Sequence, residues 1–340
     1  PDFSQVEADR QQTNLSRFSL FFPERRNFFI ENGDLFAGFG FRQIRPFFSR
    51  RIGLNGGSTV PILGGARLSG KVGDMWRIGA MNMQTDGGTA GPAQNFSVGA
   101  VQRQIGASSN IGLIAVNRSS ISDGEFDKSQ FNRLLGADYN FASSDRNHRG
   151  KVFFHKSFNP EKMNRSYAHA SWYTYSTNKF TAMWNHEYVG ENHIASVGFV
   201  PRLERNNPQL DSIERKGYWR LEPLVKYLFY PKKLEKIIYH GPSLYVDRYV
   251  DSGFMLTDNQ TRYGYEVQFR NTSILKLMYN QWFTKLYFDT DVTFTGDSSI
   301  LAGDYRYNNL DLTYTSNPRK PLSFSTSVKV GEYYSGRRSN

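Results

Sequence analysis

Leu322-Ser323-Phe324-Ser325-Thr326-Ser327-Val328-Lys329-Val330 places apolar or aromatic side chains at nearly every second position and small polar or charged ones between them. Successive side chains of an extended strand point to opposite faces, so this stretch reads as a strand with one apolar and one polar face. The same period recurs upstream. Leu310, Leu312 and Tyr314 alternate with Asn309, Asp311 and Thr313; Tyr263, Tyr265, Val267 and Phe269 alternate with Gly264, Glu266 and Gln268. Leu135, Ala137, Tyr139 and Phe141 alternate with Gly136, Asp138 and Asn140, and Ile62, Gly64, Ala66 and Leu68 with Gly65, Arg67 and Ser69. Turn signals separate the runs: Gly73-Asp74, Ser108-Ser109-Asn110, Ser144-Asp145-Arg146, Thr177-Asn178, Gly296-Asp297 and Asn317-Pro318. About fifteen segments of this kind follow residue 60. Helical signal there is confined to Lys232–Ile238, at most one or two turns.

Composition narrows the class. The 340 residues include 42 Lys and Arg against 31 Asp and Glu, a net charge of +11, with 15 % aromatics but only 39 % hydrophobic residues. No cysteine is present, which removes disulfide scaffolds, thiolate nucleophiles and cysteine-based metal centres. No run approaches the roughly 18 apolar residues of a spanning helix. The opening Pro1-Asp2-Phe3-Ser4 has no signal-peptide features and reads as a piece of a longer protein. Aromatics at this density argue against disorder.

Many antiparallel strands fit either a soluble sandwich, barrel or propeller, or a transmembrane β-barrel. The polar face here is rich in Gly, Ser, Asn, Gln and Arg, as in a wet lumen. Aromatics stand near strand ends: Tyr139 and Phe141, Tyr173 and Tyr175, Trp184 and Tyr188, Tyr227–Tyr230, Tyr333 and Tyr334. An outward apolar band with aromatic girdles predicts an all-β fold, a transmembrane antiparallel β-barrel of about 16 or more strands in the full protein. Residues 59–340 form that predicted barrel, expected to be incomplete at its C-terminus. Residues 1–58 lack alternation and read as a non-barrel lead-in or plug, with a short helix after Pro23 that ends near Asn32-Gly33.

Several stretches resemble a known family. They include Pro1-Asp2-Phe3-Ser4-Gln5-Val6-Glu7, Asn14-Leu15-Ser16-Arg17-Phe18, Phe21-Phe22-Pro23-Glu24-Arg25-Arg26-Asn27-Phe28-Phe29 with Glu31, Phe47-Phe48-Ser49-Arg50-Arg51-Ile52-Gly53 and Val60-Pro61-Ile62-Leu63-Gly64-Gly65-Ala66-Arg67-Leu68-Ser69-Gly70-Lys71. Later ones are Phe154-His155-Lys156-Ser157-Phe158, Val197-Gly198-Phe199-Val200-Pro201-Arg202, Tyr218-Trp219-Arg220-Leu221-Glu222-Pro223 and His240-Gly241-Pro242. Together they resemble the DUF5916 family along essentially the whole chain. The resemblance implies an outer-membrane barrel domain of Bacteroidota that usually follows a family 9-like carbohydrate-binding domain, and it implies no reaction.

Catalytic signals are sparse. His186 and Glu187 are adjacent on a strand and so face opposite sides, and His186 with His193 is too small a set for a metal centre; no metal and no cofactor are expected. No Gly-x-Ser-x-Gly elbow occurs. Glu24 and Glu31 would share a helix face about 10 Å apart, but Arg25 and Arg26 beside them favour ion pairing. The candidate ligand-binding or plug-stabilising set is therefore Glu24, Arg25, Arg26, Glu31, Arg42, Arg45, Arg50 and Arg51. The positive charge lacks any nucleic-acid-binding motif, so no nucleic-acid partner is expected. Basic residues such as Arg146, Arg149, Arg202, Arg205, Lys232, Lys233, Arg319, Lys320, Arg337 and Arg338 would instead meet outer-membrane lipid and lipopolysaccharide. Glycan and other outer-membrane proteins are further expected partners. The resulting expectation is a non-enzymatic protein of the bacterial cell outer membrane, a conduit or surface platform for glycan or another polymer. The alternatives are a membrane-anchored hydrolase of glycan or peptide, and a structural subunit of an outer-membrane secretion or assembly complex.

Overall fold

A computed structural model describes residues 18–339, apart from residues 56, 90, 162, 208–209, 211 and 292–299. The first family-like motif, most of the second and the predicted Gly296-Asp297 turn lie outside the described residues. From Ile62 onward the chain builds one sheet of sixteen strands whose neighbours pair antiparallel. Its first half comprises β1 (Ile62–Val72), β2 (Trp76–Thr85), β3 (Ala93–Ile105), β4 (Ser109–Ser122), β5 (Glu125–Ala142), β6 (His148–Phe158), β7 (Tyr167–Ser176) and β8 (Phe180–Val189). Then follow β9 (Tyr218–Leu221), β10 (Leu224–Tyr227), β11 (Ile237–Asp251), β12 (Leu256–Phe269), β13 (Ile274–Leu286), β14 (Gly303–Thr315), β15 (Ser325–Tyr333) and β16 (Gly336–Ser339).

Strand order follows chain order, with one local split. β9 and β10 both pair with β8 on one side and β11 on the other, so two short strands fill one place in the sheet. Glu222-Pro223 makes the break, because proline offers no N–H to a ladder.

The path ends at β1 on one side and β16 on the other, and among the described residues no pairing joins these two strands. A membrane-spanning barrel needs that closure, since lipid supplies no partner for the N–H and C=O groups of an open edge. The structure thus corrects the expectation of a transmembrane β-barrel. The outer-membrane localisation falls with it, and so do the conduit, surface-platform, membrane-anchored-hydrolase and outer-membrane-complex roles. Among the described residues no helix is long and apolar enough to cross a membrane.

Alternation itself is realised in the strands. Trp76 and Ile78 of β2, Leu113 of β4, Leu135 of β5 and Leu310 and Leu312 of β14 are exposed on one face. The opposite face carries the packing, and it is less uniformly polar than the residue pattern suggests. Residues 18–58 lie against it through α1 (Asn27–Ile30), α2 (Asp34–Ala37) and a short Leu54–Asn55/Ser58–Thr59 hairpin. Phe29, Leu35, Phe36, Phe39, Phe47 and Ile52 pack there with Met81, Met83, Phe96, Val98, Ile114 and Leu134 of β2 to β5. Gly79 makes room for this: a Cβ there would stand 2.6 Å from the Phe36 ring. A second core joins Ile44 to Phe153, Ala168, Ala170, Val189, Leu203 and Tyr218.

The chain between β8 and β9 also folds onto the lead-in. Arg45 and Phe199 exchange backbone hydrogen bonds of 3.1 and 3.0 Å, and the Phe48 N–H donates to the Val197 carbonyl at 2.6 Å. The excursion carries a two-stranded antiparallel sheet of its own, Glu204–Asn207 with Ser212–Arg215, which the alternation of the main strands does not announce.

Candidate functional site

Sheet register brings inward-facing residues from distant strands into rows. One row runs Glu187, Arg220, Tyr249, Asp258, Thr284 across β8, β9, β11, β12 and β13. The next runs Asp247, Gln260, Trp282, Tyr307 across β11 to β14. These rows floor a cleft of about 500 Å³, and Phe18–Phe21, Arg42 and Gln43 of the lead-in form its opposite wall. The cleft exists because the lead-in covers the first half of the sheet with apolar packing and leaves the later, polar strands open.

Charge inside the cleft is satisfied by the protein. Arg220 donates to Glu187 Oε1 at 2.8 Å and grips Asp247 with Nε and Nη2 at 2.7 and 3.1 Å. Its Nη2 also lies 3.3 Å from Glu222 Oε1. Glu222 accepts from Asn185 at 3.0 Å, from Tyr245 at 2.8 Å and from Arg42 at 2.5 Å. Burial opposes ionisation of Glu222, but Arg220, Arg42 and the Tyr245 hydroxyl outweigh it and hold the carboxyl below its usual value. Burial alone would lower the Arg220 value, but Asp247, Tyr249 and Glu187 outweigh it and drive it upward. Tyr249 is pushed up, chiefly by burial, and stays a neutral phenol. Arg202 lies 3.4 Å above its ring and pairs with Asp258.

The uncharged groups are placed differently. The Trp282 and Tyr307 rings stand 6.1 Å apart and 9° from parallel. Trp282 Nε1 is buried and meets no acceptor. Trp282 and Tyr307 line the cleft together with Asn259 and Gln260, beside the carboxylate–guanidinium network.

The residues singled out from sequence lie mainly within the lead-in. Arg26 is buried and holds Glu24 through Nε at 2.9 Å and Nη2 at 2.7 Å, while donating to the Ile52 and Ser49 carbonyls at 2.8 Å each. Ser49 Oγ donates to Glu24 at 2.7 Å. Arg50 reaches the Pro23 carbonyl, Arg51 the Gly198 carbonyl and Arg45 the Arg42 carbonyl. Arg25 donates its backbone N–H to Glu24. Glu31 is exposed at the end of α1 and does not join Glu24 in a shared pair. Of the set, Arg42 alone lines the cleft.

His186 bonds Ser171 at 2.8 Å, whereas His193 is fully buried on another segment, so the structure does not unite them. Among the described residues no three His, Asp or Glu gather as a metal would require. Sequence reasoning missed Arg220, Glu187, Glu222, Asp247 and Trp282. Their sequence trace is inward parity on their strands, most visible in the family-like Tyr218-Trp219-Arg220-Leu221-Glu222, where both charges fall on one face.

A second anchor lies deeper. The Gly40 N–H donates to Asp138 Oδ2 at 2.7 Å, and Lys151 donates to the Gly38 carbonyl at 2.6 Å while pairing with Asp138 at 2.9 Å. His155 Nε2 completes the cluster, 2.8 Å from Asp138 Oδ1. Burial disfavours the Asp138 charge, yet His155 and Lys151 hold its carboxyl below the usual value.

Residues 1–63 match a family described as Domain of unknown function (DUF5916). That match spans the lead-in and the first residues of β1; it carries no domain order and no host organism. No curated protein and no solved structure matches the chain. The family-level likeness to a domain of unknown function thus rests on residues 1–63, within which Phe18–Phe21, Arg42 and Gln43 wall the cleft and Phe29, Phe36 and Phe47 pack on the first strands.

Proposed function

We propose that this chain is a non-enzymatic binding protein whose cleft takes a neutral saccharide. The observation that carries this reading is the division of labour in the cleft. Its charged groups are consumed in internal pairs around Arg220, while Trp282, Gln260 and the lead-in phenylalanines line the open space. A polyhydroxylated ring suits such a wall: its C–H face covers an aromatic ring and its hydroxyls meet fixed polar groups. An ionic ligand would have to displace buried pairs, at a large desolvation cost. Catalysis is disfavoured because Glu222, held ionised by Arg220 and Arg42, cannot serve as a general acid near neutral pH.

The test is calorimetric titration of the full chain with soluble hexasaccharides of glucose, xylose and mannose. At least one should bind, with Trp282→Ala weakening it tenfold or more and no hydrolysis in overnight incubation. Absence of binding across the panel, or unchanged affinity in Trp282→Ala, overturns the reading.

A further inference from the structure

A separate cavity of about 340 Å³ lies between the lead-in and the first strands, away from the Trp282 cleft. Its walls are mainly apolar: Phe29, Phe36, Phe47, Phe48 and Met81 line it. Two arginines, Arg67 and Arg45, also line it. Glu24 pairs with Arg26 and Asp34 with Arg77, Arg45 donates to the Arg42 carbonyl, and Glu31 and Asp34 act on the Arg67 charge from nearby. Arg67 keeps one donor unmade. Its Nη1 donates to the Phe28 carbonyl at 2.6 Å and its Nη2 to the Glu31 carbonyl, while its Nε is buried and meets no acceptor. Its guanidinium stands 5.1 Å over the Phe36 ring.

A buried cationic donor left unmade is costly, and a ligand oxygen there would recover that cost. The surrounding phenylalanines and Met81 offer the complementary half, a dry wall for an aliphatic chain. The volume sits at the lower end of the range for ligand pockets, about 300–1,000 Å³, which suits a chain of about ten carbons. We propose that this cavity binds a medium-chain aliphatic carboxylate, its tail among Phe29, Phe36, Phe47 and Met81 and its carboxylate against Arg67.

The proposal is independent of the saccharide reading and is tested by titrating the full chain with decanoate. Saturable binding of one decanoate per chain is expected. Arg67→Met should weaken it at least tenfold, Met81→Trp should abolish it by filling the cavity, and decanol should bind at least tenfold more weakly than decanoate. Trp282→Ala should leave it unchanged. Thermal unfolding of both variants shows whether they fold, and Arg67→Met carries the test if Met81→Trp does not. Uptake by the exposed apolar face of the sheet would be unsaturable and insensitive to both substitutions, and that result overturns the proposal. So does equal affinity for decanol, or the absence of decanoate binding.

Discussion

Arg220→Leu is expected to cost about 3–5 kcal/mol of stability, the range for breaking a buried ion pair by removing one partner. The guanidinium touches Glu187, Asp247 and Glu222, and both glutamates are almost completely buried. Leucine fills much of the volume but leaves Glu187 and Asp247 without their cationic partner, while Glu222 keeps Arg42, Tyr245 and Asn185. Folded domains are stable by only about 5–15 kcal/mol, so the loss is a large fraction of the total. It also acquires a pH signature. In the variant, burial and mutual repulsion raise the carboxyl values above those of the unfolded chain. The folded state then binds more protons, and stability rises as pH falls. Arg220→Lys keeps the charge but not the fork that reaches several oxygens, and should fall between wild type and leucine. Denaturant unfolding at pH 7.5 and 5.5 provides the measurement. A midpoint in Arg220→Leu equal to that of wild type at both pH values would show that the network contributes nothing to stability.

Acidification should expose a second weak point at His193, which is entirely buried with no partner in hydrogen-bond geometry for either ring nitrogen. Burial first, then the nearby His155 and Arg215, pushes its pKa down to about 3 from an ordinary 6.5; the Ser166 backbone pulls weakly the other way. The unfolded chain takes up the proton near pH 6.5 and the folded chain does not. Stability is therefore intact above pH 6.5 and declines as pH falls toward about 3. A shift of that size corresponds to roughly 4–5 kcal/mol at the acid end. Asp138 adds a later loss of the carboxylate kind. Its value is depressed in the folded state, so its stabilisation is present above the ordinary carboxylate range and disappears as pH falls through the folded value. His193→Leu removes the first component and leaves the second. Unfolding free energies measured from pH 7.5 to 4.5 should fall steeply for wild type and more shallowly for His193→Leu, in which His169 and His186, also pushed down by burial, still contribute. Parallel curves for the two proteins would show that His193 does not titrate on unfolding.

The two sites differ in how far they can be read from residues in order. The Glu24–Arg26 clamp is local: the partners stand two positions apart, and a carboxylate beside arginines in a Phe-rich stretch already suggests an ion pair. The Arg220 network is not local. Glu187, Arg220 and Asp247 come from strands separated by long stretches of chain, and only the register between β8, β9 and β11 sets them side by side. Trp282 and Tyr307 meet for the same reason, across β13 and β14. Leu322-Ser323-Phe324 extends the alternation of β15, yet the strand begins at Ser325; side-chain period alone does not mark where pairing starts.

Period-two alternation and turn residues were sufficient by themselves to determine that this chain is built of antiparallel strands with one apolar and one polar face, preceded by a segment that breaks the pattern. That much follows from the geometry of a single extended strand, which every residue carries locally. Tertiary structure decided whether the sheet closes, since closure is a pairing between β1 and β16, the two ends of the strand path, and no local pattern encodes it. It also decided that the inward face divides into a packed half and a polar half. Hydrophobic contact places the lead-in's phenylalanines over Gly79, Met81 and Met83 of the first strands. The later strands are left to form the cleft.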